Sequence, residues 1–230
     1  MSNAATAAVH AADDEIVAAL NQFVDERIIP VSNELEPAGT YPQVLVDELK
    51  QLGAFGIPIK EEYGGLGGNL FLTAEVFEAL GRGWIAVGDI FSTHFTAVRL
   101  IQEYGTDAQK DEFLPSLAAG DLIGGIALTE PHAGSDLRSV RSTATETHNG
   151  YVLKVSKTMI THIQHVDPIL TLVRMRRKDG SDDGYGVFII RQGEEGVTTT
   201  GSLGKLGHVG CELGEVFCDQ LEVPADRLLG

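Results

Sequence analysis

The hydrophobic pattern of this 230-residue chain changes period near Gly120, and no fold built from one kind of secondary structure accommodates both halves. Before that point the apolar residues Ile16, Leu20, Phe23, Val24, Ile28, Val31 and Leu35 recur at three- and four-residue steps. That spacing predicts a helix over Glu15–Leu35 with one buried stripe, kinked or divided at Pro30. A second helix is expected over Pro42–Leu52, with Val44, Leu45, Leu49 and Leu52 facing inward and Gly53 as its stop. Helical patterns continue through Leu70–Leu80 and Phe91–Tyr104, and T-D-A-Q at Thr106–Gln109 reads as a capping box that opens a helix to Leu117. After Gly120, alternation and β-branched residues predict strands at Thr143–Thr147, Tyr151–Val155, Thr171–Met175, Val187–Ile190 and Glu215–Cys218. Asn149-Gly150 marks a hairpin turn and Lys178–Tyr185 a solvated loop. The expected architecture is α+β, with helices over 1–120 and antiparallel β structure over 121–230.

Charge narrows the function. Seventeen basic side chains against 33 acidic ones leave a net charge of −16, which disfavours nucleic-acid and anionic-membrane partners. No apolar run is long enough to span a bilayer, and Met1–Asp13 has no secretory-signal pattern, so an intracellular, cytoplasmic location is expected. Within this acidic chain, residues 137–178 carry Arg138, Arg141, Lys154, Lys157, Arg174, Arg176, Arg177 and Lys178 against only Glu146 and Asp167. Such a basic segment is expected to face phosphate groups. Cys211 and Cys218 are too few for a disulfide scaffold and read as packing residues, and His162 with His165 does not make a metal site, so no metal is expected.

Ile126–Ser139, I-A-L-T-E-P-H-A-G-S-D-L-R-S, follows a short apolar run with hydroxyls, a glycine and free backbone N–H groups. That chemistry suits a polar or phosphate-bearing ligand, although a plain strand-capping turn has the same ingredients. Ser135, His132 and Asp136 are sequence neighbours without a nucleophile elbow, which argues against a hydrolytic triad. The stretch resembles the signature of the acyl-CoA dehydrogenase family at nearly every position. Glu62–Gly68 (E-Y-G-G-L-G-G), Tyr104–Gly120, Val155–Thr161 (V-S-K-T-M-I-T) and Lys205–Gly230 resemble other motifs of that family, in order and at matching spacing.

The resemblance implies a helical domain followed by a β-sandwich or barrel middle domain that binds FAD. It places Ile126, Ala127, Leu128 and Thr129 along the flavin, Gly134 and Ser135 near its pyrophosphate and the acyl-CoA, and Met159, Ile160 and Thr161 over another approach. Ser135 is also the expected substrate contact, and Glu130 and Asp136 are expected to hold the loop. The implied reaction is α,β-dehydrogenation of an acyl thioester, carried by CoA or a carrier protein, with hydride transfer to flavin N5 and an electron-transfer flavoprotein as acceptor. A homotetramer and a catalytic glutamate supplied by a helical domain beyond Gly230 are further implications. Met159 stands where many members have a shielding tryptophan, His162-Ile163 where they have Asn-Gly, and His132 where glycine is common. These departures leave two alternatives within the superfamily, a non-catalytic partner subunit or a flavin-dependent relative of alkylation-response or monooxygenase type.

Overall fold

The computed structural model describes the backbone of residues 3–230 and the side chains of residues 13–230, so Met1, Ser2 and most of the segment read for a secretory signal lie outside the side-chain description. Six α-helices come first: α1 (Asn3–Phe23), α2 (Ile29–Ala38), α3 (Gln43–Gln51), α4 (Leu70–Gly83), α5 (Ile85–Tyr104) and α6 (Asp107–Ala118). Pro30 acts as expected, with a specific consequence. Lacking an N–H for the carbonyl four residues back, it sits in the first turn of α2 directly after a π-helical turn, Val24–Ile28, that divides the predicted helix. In α3 the buried residues are Leu45, Val46 and Leu49, whereas Val44 and Leu52, expected inside, are exposed. The stripe is shifted by one step because α3 meets its neighbours along the 45–46–49 face. Thr106 and Gln109 form the reciprocal capping box at the start of α6.

Seven strands follow: β1 (Gly125–Ala127), β2 (Thr143–Glu146), β3 (Tyr151–Thr161), β4 (Ile169–Arg176), β5 (Asp182–Ile190), β6 (Val197–Thr199) and β7 (Leu213–Val223). The sheet is mixed, not wholly antiparallel. β1 and β2 both pair in parallel with one edge of β4, at Gly125↔Ile169 and Thr143↔Arg174 respectively, while β5 pairs antiparallel with β4 and β3 antiparallel with β2 and β7. β1 and β2 thus behave as one interrupted strand. Half of the segment expected as a solvated loop, Asp182–Tyr185, belongs to β5, with its Asp182 carboxylate held against Arg174 and Arg176 of β4. No described helix is long and apolar enough to cross a membrane.

Three apolar clusters organise the molecule. One fills the helical layer around Leu20, Leu49, Phe55, Leu80 and Phe91, and a second fills the sheet around Leu153, Ile169, Phe188 and Val216. The third joins them, packing Val98, Phe113 and Leu117 of α5 and α6 on Leu170 and Ile189 of the sheet. A buried polar link reinforces the joint: His94 of α5 shares a hydrogen bond of 3.2 Å with the Phe55 carbonyl and accepts one of 3.2 Å from the Gly124 N–H, just before β1. A neutral ring protonated on Nε2 satisfies both partners.

Burial pushes His94 down to about 4, and burial does the same to His162, which follows β3 with φ +50°. Both folded values lie below the roughly 6.5 of an unfolded histidine, so the unfolded chain takes up protons first and stability present above pH 6.5 is lost as pH falls towards 4. The unfolding free energy, measured by denaturant titration between pH 7 and 4.5, should fall by up to about 2.7 kcal/mol per pH unit for two protons. His162→Asn, which tolerates the left-handed backbone, should flatten that slope, and an unchanged slope would remove His162 from the account.

Candidate functional site

The break between β1 and β2 is where the signature lies. The chain leaves the edge of β4 after Ala127, runs out through Leu128–Arg141 and returns at Ser142. Both ends of this excursion are fastened to β3 by one ion pair. Lys157 and Glu130 are essentially inaccessible, with side chains 0% and 1% exposed, and lie 2.8 Å apart. Lys157 also donates to the Leu128 carbonyl at 2.9 Å, on the outgoing side of the loop. Glu130 accepts from the backbone N–H groups of Arg141 at 2.8 Å and Ser142 at 2.9 Å, on the returning side. Burial opposes ionisation of Glu130, but hydrogen bonds from Lys157, Ser142 and those N–H groups outweigh it and hold the carboxyl at about 2. Burial likewise pulls Lys157 down from the usual amine range, with Glu130 acting against it. The expected role of Glu130 in holding the loop is therefore visible in its contacts. Asp136 caps the short turn Leu137–Ser139 by accepting from the Arg138 N–H at 3.2 Å.

The predicted contact residues divide by environment. The Thr158 N–H donates to the Thr129 carbonyl at 2.9 Å, so Leu128-Thr129 runs beside Lys157–Met159. At this point β3 carries a bulge, its register with β7 shifting between Lys157 and Ile160. Met159 takes φ +60° there, uncommon for an unbranched bulky side chain, and stands 51% exposed. Thr129 and Thr161 are half-buried, and Gly134 and Ser135 are exposed on the loop. A Cβ on Gly134 would meet nothing within 4 Å, so the space over it is open. Ile126 packs on the helix–sheet cluster, and Ala127 and Ile160 lie in the sheet core, which leaves those three only main-chain groups to offer a ligand.

The basic segment does not face outward as a unit. Lys157 is consumed by Glu130, while Lys154 pairs with Asp219, Arg174 and Arg176 with Asp182, Arg177 with Asp183, Lys178 with Glu146 and Arg138 with Asp136. Among the described residues only Arg141 of this group has no ion pair, and it lines an open groove with His132, Ser142, Lys154 and Ser156 beside the loop. The role of Lys157 was missed from sequence although its signal was present. In V-L-K-V-S-K, Leu153, Val155 and Lys157 share one face of the strand, so a lysine there points into the core and demands a buried anion.

The architecture defines a class: a helical layer packed on a mixed sheet in which two short strands beside β4 are joined by a loop pinned at its base. The profile of the acyl-CoA dehydrogenase N-terminal domain matches residues 10–121 and that of the acyl-CoA dehydrogenase middle domain residues 125–221. An acyl-CoA dehydrogenase of Bacillus subtilis (strain 168) is 34% identical over 212 residues, covering 92% of this chain and 56% of its own length. Among solved structures, butyryl-CoA dehydrogenase from Megasphaera elsdenii superposes with a TM-score of 0.88 at 29% identity, over 95% of this chain and 58% of that one. A glutaryl-CoA dehydrogenase from Mycobacterium smegmatis in complex with FADH2 gives 0.86 at 28% identity, over 94% and 54%. This chain belongs to the acyl-CoA dehydrogenase family. It spans about half the length of the curated relatives it matches.

If the Glu130–Lys157 pair holds the loop, Lys157→Met should cost about 3–5 kcal/mol of unfolding free energy by stranding a buried carboxylate. The double variant Lys157→Met/Glu130→Gln should recover part of that loss in denaturant unfolding. A double variant no more stable than Lys157→Met alone would show that the charge is not what matters.

Proposed function

We propose that the protein of which this chain forms the helical and β domains, divided at 120/121, is an FAD-dependent acyl-CoA dehydrogenase that oxidises an acyl thioester across its α,β bond. The single observation that carries this reading is the pinned adjacency of Leu128-Thr129 and Lys157–Met159 at an open loop, in a chain of this family. The residues fit the cofactor. The bulge turns Met159 out of the core, the main chain of Leu128-Thr129 runs beside β3, and open space lies over Gly134, beside Ser135. When bound, FAD supplies the hydride acceptor.

The chain's own residues do the holding. Thr129 and Thr161 offer hydroxyls and Leu128–Thr129 main-chain groups to the flavin, Met159 and Ile160 bound its other approach, and Gly134 and Ser135 receive pyrophosphate and thioester. Because Glu130 and Lys157 fix the loop before any ligand arrives, little conformational entropy is spent on binding. We assign no base among these 230 residues. The reading extends to an acyl-CoA or acyl-carrier-protein thioester from fatty acid metabolism as substrate, an electron-transfer flavoprotein as acceptor, a homotetramer and a cytoplasmic location.

The purified full-length protein should carry FAD, and its flavin absorbance should bleach anaerobically on adding an acyl-CoA. Absence of flavin, or no bleaching with thioesters of any chain length, would overturn the proposal. The exposed Met159, standing where the resemblance gives many family members a shielding tryptophan, favours one second reading, a relative that reacts with oxygen; rapid reoxidation of the reduced flavin by dissolved oxygen would select it. Arg141→Glu should raise the dissociation constant for FAD or acyl-CoA roughly tenfold, about 1.4 kcal/mol, and unchanged affinity for both would exclude a phosphate-facing role.

A further inference from the structure

Away from the signature loop, the connection between β6 and β7 crosses to the helical layer and brings three metal-type ligands together. His208 and Cys211 sit at the ends of a four-residue turn closed by the Cys211 N–H donating to the His208 carbonyl at 3.3 Å. Lys205 caps the same turn, its ammonium donating to both the His208 and Cys211 carbonyls. His208 takes φ +54°, which sets its ring toward α5, where Nε2 lies 2.5 Å from the Asp89 carboxylate. The Asp89 oxygen, a His208 ring nitrogen and Cys211 Sγ all lie within 4.8 Å of one another.

We propose that Asp89, His208 and Cys211 form a zinc site that clamps α5 to the β6–β7 connection. An oxygen, an imidazole nitrogen and a sulfur are the ligand types zinc takes, and three protein ligands leave the fourth tetrahedral position to water or a small anion. A tetrahedral site needs donor separations of roughly 3.3–3.8 Å at zinc bond lengths of 2.0–2.3 Å, so side-chain adjustments of about 1 Å complete it. His208 Nδ1 is buried without a partner, so ligation by this ring gives up no hydrogen bond but the one to Asp89. Asp89 and His208 are each about one-third exposed, which gives the ion a path in, while Cys211 is buried.

The electrostatic balance also closes. A dication and Lys205 bring three positive charges to a site where Asp89, a Cys211 thiolate and neighbouring Glu36 bring three negative ones. Glu36 is held nearby by the Val209 and Gly210 N–H groups and by Trp84 Nε1.

Titration of the metal-free protein with Co2+ should give a thiolate-to-cobalt charge-transfer band, and competition with a chromophoric chelator should report tight binding of about one Zn2+ per chain. Zinc should also raise the melting temperature of the unliganded protein, because an ion that binds only the folded state stabilises it. Cys211→Ser should abolish the charge-transfer band and weaken zinc binding at least tenfold. His208→Asn, which keeps a residue tolerant of φ above zero, should weaken it similarly, and Cys218→Ser should change neither. No charge-transfer band, or zinc affinity unchanged in both Cys211→Ser and His208→Asn, would overturn the site and leave a hydrogen-bonded His208–Asp89 contact in its place.

Discussion

A lysine and a glutamate buried together on the inner face of β3 carry the geometry of the candidate site. Removing both charges from water costs several kcal/mol for each ion, and their mutual attraction offsets that only when the remaining hydrogen-bonding capacity is used. Here it is used. Glu130 accepts the Arg141 and Ser142 N–H groups as well as Lys157, and Lys157 spends a further donor on the Leu128 carbonyl. The pair bridges the point where the strand breaks and the point where it resumes, so the loop between them is held at its base and open at its tip.

Two features depend on this anchoring. β1 has only three residues, too few to hold its place through its own ladder, and its continuation past Ala127 is maintained by Lys157 and by the Thr158–Thr129 hydrogen bond. The bulge that follows immediately in β3 places Met159 in a left-handed conformation, which costs on the order of 1 kcal/mol or more and persists only where the surroundings determine it. Lys157 on one side and the core residue Ile160 on the other supply that determination. Strain, loop and ion pair are parts of one arrangement.

The helices are legible where they bury one face: the stripes of α1, α4 and α5, the Pro30 division and the Thr106 capping box all follow from local rules. Parallel pairing of β1 and β2 with β4 was not legible, since alternation records which face a residue occupies and says nothing of which strand lies beside it. The D-D-G composition of Asp182–Tyr185 predicts a loop, yet the cations of β4 draw Asp182 into a strand. Lys157 shows the same limit, because the net charge of a segment does not record which cations face solvent, whereas the period-two pattern of β3 puts this side chain inside. The signature motif pointed to the right loop, but the partner that holds it lies 27 residues further along the chain and meets it only through the pairing of strands.

α5 decides how the two layers meet. His94 on this helix fixes Gly124, immediately before β1, and Asp89 on the same helix contacts His208 in the β6–β7 connection. Val98 and Ile101 extend the contact through the apolar cluster shared with Leu170 and Ile189. Apolar contacts tolerate small sliding, whereas hydrogen bonds to Gly124 and His208 are directional and set position within a few tenths of an ångström. Both ends of the loop are held to β3, by Lys157 at Leu128 and by Glu130 at Arg141 and Ser142, so α5 positions the strand that feeds the loop while the anchorage of the loop itself stays within the sheet.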